Sequence, residues 1–160
     1  KLELGNLDAK RDWGHAKDYV RMQWMMLQQD LPEDYVISTG KMVTIRKFIE
    51  ICATQLKWNK RSNEEGIIWE GEGQNEVGRR ADTKEIVIKI DPRYFRPTEV
   101  DQLMGDSSKG FKKLGWVPEI SLEEMIEEMI NDDKNKALEE SLLLKKGFKV
   151  NPSFESPPNN

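Results

Sequence analysis

The sequence predicts a mixed α/β fold, and three observations carry that expectation. Segments with period-two alternation, at 1–5 and 85–90, are interleaved with segments of 3.6-residue periodicity, at about 15–29, 44–56 and 121–144. The connections between them are short and punctuated by Gly, Pro, Asn and Asp. With 160 residues, the chain is also too short to build a complete doubly wound sheet with six or seven parallel strands.

Lys1-Leu2-Glu3-Leu4-Gly5 alternates and is stopped by glycine, so a short strand is expected there, followed by a polar stretch over 6–12. A chain that opens on Lys1 inside such a pattern is expected to be a piece of a longer protein. Ala16, Tyr19, Val20, Trp24 and Leu27 then fall at helical spacing, and Leu31-Pro32 ends that helix because proline cannot continue it. Tyr35-Val36-Ile37-Ser38 is expected to be a strand closed by Thr39-Gly40. The clearest helix follows, with Ile45, Phe48, Ile49, Cys52, Ala53 and Leu56 on one face and Thr44 as its N-cap. Residues 57–66 are expected to be a loop, Ile67-Ile68-Trp69 a strand, and the glycine-bearing stretch 71–78 mobile. Ile86, Ile88 and Ile90 mark a strand with one buried face, which Asp91-Pro92 breaks. A short helix from Asp106 to Leu114 is expected to end at Gly115. Ser121-Leu122-Glu123-Glu124 fits a capping box that opens a last helix, with Leu122, Met125, Ile126, Met129 and Ile130 on one face.

Composition narrows the function classes. Twenty-five basic and 29 acidic residues leave a net charge of -4, without the basic excess of a generic nucleic-acid binder. A single cysteine, Cys52, excludes a disulfide within the chain and a cysteine-built zinc site. No apolar run approaches the ~20 residues that span a bilayer, and no leader pattern opens the chain. No membrane and no nucleic-acid partner are therefore expected, and the location expected is cytoplasmic. The hydrophobic content of 37% is low, but five Trp, three Tyr and five Phe allow a modest core.

Two stretches carry the residue types of a binding site. In Lys10-Arg11-Asp12-Trp13-Gly14-His15, a guanidinium beside a helix start suits a phosphate or diphosphate, unless Arg11 is simply paired with Asp12 or Asp18. His15, the only histidine, could do acid–base work but has no nucleophile pattern near it, and a local hydrogen bond is its plainer use. In Asp91-Pro92-Arg93-Tyr94-Phe95-Arg96-Pro97-Thr98-Glu99, Arg96 could neutralise a phosphate, Glu99 accept from a sugar hydroxyl, and Tyr94 or Phe95 face a ring. The competing reading is a rigid turn whose aromatics plug a core edge. Gly71-Glu72-Gly73 has Glu76 where a dinucleotide fingerprint needs its third glycine. Met22, Met25 and Met26 are expected to be core filler, and Glu123, Glu124, Glu127 and Glu128 a solvated face.

The stretch Leu4-Gly5-Asn6-Leu7-Asp8-Ala9-Lys10-Arg11-Asp12-Trp13-Gly14-His15-Ala16-Lys17-Asp18-Tyr19-Val20 resembles the signature of GDP-mannose 4,6-dehydratases. These belong to the nucleotide-sugar branch of the extended short-chain dehydrogenases/reductases, in the NAD(P)-binding Rossmann superfamily. The resemblance continues through Pro32 to Gly40, Trp69-Glu70-Gly71, Asp91 to Val100, and Gly105-Asp106 to Pro118. It implies that the chain is the carboxyl-terminal, substrate-binding portion, over 1–150, with 151–160 a flexible tail. Most of the Rossmann half, with its glycine-rich NADP loop and catalytic Thr, Glu, Tyr and Lys, is missing. Tyr19, Tyr35 and Tyr94 are followed four residues later by Gln23, Thr39 and Thr98, so no Tyr-x-x-x-Lys exists here.

For the complete enzyme the resemblance implies tightly held NADP, and conversion of GDP-mannose to GDP-4-keto-6-deoxy-mannose plus water through internal hydride transfer. A homo-oligomer is implied too. For this chain alone it implies no turnover, with no catalytic and no cofactor-binding residues. It assigns Arg11 and Arg96 to the diphosphate, Glu99 to the ribose and Tyr94 more loosely to the substrate; Arg79, in the variable stretch 71–80, receives no role. Two alternatives stay open: another nucleotide-sugar dehydratase or epimerase of the superfamily, and a non-catalytic regulatory module with a dehydratase-like fold.

Overall fold

The computed structural model describes residues 1–59, 65–95 and 104–150, in which local sequence signals set six short strands and four α-helices. In chain order these are β1 (Leu2–Leu4), β2 (Lys10–Asp12), α1 (Ala16–Leu27), β3 (Met42–Thr44), α2 (Ile45–Gln55), β4 (Ile67–Glu70), β5 (Val77–Arg80), β6 (Ile86–Ile90), α3 (Ser108–Leu114) and α4 (Leu122–Lys145). They divide between two compact units. The first holds β1, the end of α2, β4 to β6 and α4 from Ile126; the second holds β2, α1, β3, most of α2, α3 and the first turn of α4.

The first unit is a four-stranded mixed sheet of order β1-β6-β5-β4. β4, β5 and β6 form an antiparallel meander, while β1 joins β6 in parallel, with Leu2 opposite Ile88 and Leu4 opposite Ile90. A bond from the Asp91 N–H to the Leu4 carbonyl, at 2.8 Å, extends that pairing by one step. Gly78 sits mid-sheet: a Cβ there would lie 2.8 Å from both Ile67 Cδ1 and Trp69 Cζ3, so only glycine lets those side chains close over β5. The register shifts between Gly78 and Arg79. Ala53, Ile67, Ile88 and Ile126 are this unit's buried apolar residues.

The second unit is organised by caps and one buried charge. β2 and β3 form an antiparallel ribbon, with Arg11 opposite Val43, and β3 runs straight into α2. Thr44 caps α2 by accepting from the Lys47 N–H at 3.0 Å. α3 stops at Gly115, whose φ of 68° is left-handed and whose N–H bonds the Phe111 carbonyl at 2.9 Å. The expected capping box opens α4: the Ser121 N–H and hydroxyl donate to the Glu124 carboxylate at 2.8 and 2.6 Å, and the Glu124 N–H returns to Ser121 Oγ at 3.2 Å. Asp18, on α1, is only 3% exposed. One of its oxygens accepts the Glu119 and Ile120 N–H groups, each at 3.0 Å, and the other accepts from Arg21 at 3.3 Å. Its own carbonyl takes the indole N–H of the buried Trp116 at 3.0 Å.

The segment between α1 and β3 is tied to α3 by charge. Glu33 pairs with Lys113 at 2.5 Å and Lys109 at 2.9 Å, and the Lys109 ammonium also lies 4.7 Å from the Tyr35 ring centroid. Hydrogen bonds from Lys113, then Lys109, pull the Glu33 carboxyl down to about 2.

Several expectations are corrected. Residues 35–38 form no strand, because among the described residues no neighbour offers them a ladder. The polar stretch 6–12 contains β2, and β3 precedes α2; three-residue strands leave too short an alternation to stand out. The stretch 71–78 is not mobile loop: a 3-10 turn at Gly73–Asn75 leads into β5, an inner strand. On α1 the buried residues are Asp18 and Met22, while Val20, Trp24 and Leu27 are 60%, 61% and 81% exposed. On α4, Met125 and Ile126 are buried but Met129 is exposed. Residues 60–64, 96–103 and 151–160 lie outside the described ones, and the expected tail with them.

Two outcomes follow from this packing. Asp18→Ala strands the donors of Glu119, Ile120 and Arg21; charge-assisted bonds run at about 1.5–3 kcal/mol each, so urea unfolding should show a loss of about 3 kcal/mol or more. Because Glu33's folded pKa is lowered from 4.5 to about 2, the stabilisation it supplies is complete above pH 4.5 and fades as pH falls toward 2. An NMR titration of the Glu33 carboxyl should show that low midpoint, moved back toward 4.5 by Lys113→Ala.

Candidate functional site

The stretch from Arg11 to Asp18 supplies the candidate site, and most of it faces inward. Asp12 binds the segment before β3: its Oδ1 accepts the Thr39 N–H at 3.0 Å and hydroxyl at 2.6 Å, and its Oδ2 accepts the Gly40 N–H at 2.9 Å. Trp13 stacks on Phe48 with ring centroids 4.7 Å apart. His15 is the N-cap of α1, its Nδ1 accepting the Lys17 N–H at 3.0 Å. Gly14 makes room for Tyr19, since a Cβ there would fall 2.4 Å from the phenol oxygen. Burial, then the Asp12 and Asp18 carboxylates, push the Tyr19 phenol up and keep it protonated.

Asp12 bonds Thr39 and Gly40, and Asp18 bonds Arg21 and residues 119–120; beside them on β2 lies Arg11. Its side chain is half-buried, with Nη1 donating to the Lys10 carbonyl at 2.8 Å. Arg11 lies directly opposite Val43, so the two side chains emerge on one face of the ribbon. Val43 lines a cavity of about 410 Å³ on that face, with Trp13, Thr39 and Lys41 beside it and Pro118 to Glu123 across from it. The Asp18 bonds to residues 119 and 120 hold that far wall in place. Trp13 Nε1 is buried with no hydrogen-bond partner among the described residues. Sequence reasoning missed Lys41 and this cavity; neither has a motif, because the wall forms only when residues 118–123 fold back onto α1.

In the first unit, Tyr94 is half-buried in a turn, its N–H donating to the Asp91 carbonyl at 3.0 Å. Arg93 forks onto the buried Asp91 carboxylate at 2.5–3.1 Å and holds its pKa below the ordinary value. Gly5 permits this turn, because a Cβ there would lie 2.3 Å from the Tyr94 carbonyl oxygen. Arg11 and Tyr94 belong to different units, and Arg96 and Glu99 lie outside the described residues. Arg79 is engaged at the sheet, with Glu70 at 2.7 Å and the Lys84 carbonyl at 3.1 Å. Burial pushes the Cys52 thiol up, away from reactivity. Among the described residues no cluster of three or more His, Cys, Asp or Glu could hold a metal, and no helix is long and apolar enough to cross a membrane.

Solved structures share the fold of this chain. RMD from Pseudomonas aeruginosa, solved with NADPH, superposes with a TM-score of 0.60 at 20% identity, covering 84% of this chain and 36% of that one. UDP-glucose 4-epimerase from Thermotoga maritima, solved with UDP-glucose, gives 0.59 at 20% identity, over 86% and 36%. The sequence is more specific. The profile of the GDP-mannose 4,6 dehydratase family matches residues 1–129, and the chain belongs to that family. It is 49% identical over 159 residues to the GDP-mannose 4,6-dehydratase of Yersinia enterocolitica, covering 97% of this chain and 42% of that protein. Against the human GDP-mannose 4,6 dehydratase it is 48% identical over 132 residues, covering 82% and 34%. The chain thus spans less than half the length of these relatives.

Proposed function

We propose that residues 1–150 are the nucleotide-sugar-binding portion of a cytoplasmic GDP-mannose 4,6-dehydratase, which forms GDP-4-keto-6-deoxy-mannose and water once a Rossmann half completes it. The observation that carries this reading is the 49% identity across nearly the whole chain to a relative of that name. In that reading Arg11 and Arg96 clamp the diphosphate, Glu99 receives the ribose hydroxyls, and Tyr94 borders the substrate. Two fixed guanidinium groups offset phosphate charge without reorganising when the ligand arrives.

The need for a completing half is supported by what α1 leaves bare. Its Met22 side is buried, yet Val20, Trp24 and Leu27 on its other side are exposed, together with Leu31 and Val36. A helix apolar on two sides belongs between two layers. The unpaired segment 35–38 would gain ladder partners from the same source.

NADP is assigned to that absent half. The residues present do not fit a dinucleotide cradle: Gly71-Glu72-Gly73 leads into a three-residue 3-10 turn and then β5, not into a helix whose N-terminus could face a pyrophosphate. No hydride or proton transfer is therefore assigned to this chain, which contributes binding alone. The completed enzyme is expected to be a homo-oligomer.

The test is to fuse the amino-terminal part of the Yersinia enterocolitica relative to this chain. The fusion should convert GDP-mannose to the keto sugar, while the chain alone with NADP should not; turnover by the chain alone overturns the reading. In the fusion, Arg11→Ala or Arg96→Ala should raise KM ten- to a hundred-fold, as loss of a charge-assisted phosphate contact of about 1.5–3 kcal/mol requires. The GDP inhibition constant should rise by a similar factor with a smaller change in kcat, because GDP and GDP-mannose share the diphosphate. Lysine should rescue only partly, since an ammonium cannot fork onto two oxygens. Unchanged KM in both alanine variants would remove these residues from the site.

A further inference from the structure

We infer that Asp12 is a positioning residue, fixing the stretch that carries Arg11 by clamping the Thr39–Gly40 segment. This rests on the proposed assignment of Arg11 to the diphosphate, and adds a residue to which no ligand contact is ascribed.

The ribbon cannot hold Arg11 by itself. β2 and β3 have three residues each, and a two-stranded ribbon of that length is not stable alone. Side-group and backbone bonds outside the ladder complete it. At one end, the Leu7 and Ala9 carbonyls accept the N–H groups of Arg46 and Ile45, at 2.9 and 3.2 Å. At the other end, where the ladder stops at Asp12 opposite Met42, the Asp12 carboxylate continues it, taking both N–H groups and the hydroxyl of Thr39 and Gly40. Arg11 sits between these two anchors.

The chemistry of the clamp requires a carboxylate. Three donors converge on two oxygens, and a group that only accepts satisfies all three. Asparagine has the same shape, but its NH2 must face either the Thr39 pair or the Gly40 N–H, donor against donor. All the hydrogen bonds shown for the Asp12 carboxylate go to Thr39 and Gly40. Alternation along β2 separates its side chain from that of Arg11, sending the carboxylate to the loop and the guanidinium to the face shared with Val43.

A double-mutant cycle in the completed enzyme tests this. Asp12→Asn should raise KM for GDP-mannose and the inhibition constant of GDP together, about ten-fold, with kcat within about three-fold. On the Arg11→Ala background the same substitution should change KM less than two-fold, because the group it positions is gone. Asp12→Glu, which keeps both oxygens, should restore part of the loss. Thr39→Val removes one of the three donors and should reproduce the effect at about two- to three-fold, which keeps the test decisive if Asp12→Asn folds poorly. Additive effects of Asp12→Asn and Arg11→Ala, or a fall in kcat without a rise in KM, would overturn the positioning role while leaving Arg11 in the site. If Arg11→Ala itself leaves KM unchanged, both this inference and the assignment of Arg11 fall together.

Discussion

A carboxylate removed from water must be fully satisfied by protein, and the second unit is arranged to satisfy Asp18. Its side chain is almost wholly buried, yet no cation alone neutralises it; two backbone N–H groups from residues 119 and 120 share the work with Arg21. Arg21 in turn bonds Glu119 and the Val117 carbonyl, so the chain from Trp116 to Ser121 is fastened to α1 at several points. That fastening sets where α4 begins and gives the cavity beside the ribbon its far wall. Removing the carboxylate alone leaves the N–H groups of residues 119 and 120 without their acceptor.

Within that spacing, the residues divide by destination. Asp12, His15 and Asp18 each hold backbone N–H groups, Gly14 yields space to Tyr19, and Trp13 packs on Phe48. Arg11 is the cation placed on the ribbon face that borders the cavity. A motif that looks like a cluster of ionisable groups is therefore mostly framework, with a single guanidinium presented by it.

The helices were legible because their signals are local. Thr44 and the Ser121–Glu124 box cap the ends where the pattern places them, and Gly115 stops α3 through a backbone conformation that favours glycine. The strands were less so. β1, β4 and β6 alternate or cluster apolar residues, but β2 and β3 are three residues long and exist because each is the other's partner. Residues 35–38 show the converse, a good strand pattern that finds no ladder among the described residues. For the site, composition could point to Arg11 and to the 91–99 stretch, but only family resemblance chose the ligand. The role of Asp12 had no sequence signal beyond adjacency, since its partners lie at Thr39 and Gly40.

Sequence distance has a temporal side. Leu2 must find Ile88 to seat β1, and Asp18 must wait for Glu119 and Ile120, whereas β4, β5 and β6 follow one another directly. Closing a long loop is entropically unfavourable until the contacts at its mouth compensate, so the local meander condenses early and the two distant pairings late. During synthesis, at roughly 5–20 residues per second, the Asp18 carboxylate emerges from the ribosome seconds before its backbone donors do. Until they arrive it stays hydrated and keeps α1 from settling, so the second unit closes only when nearly all of its length has been made.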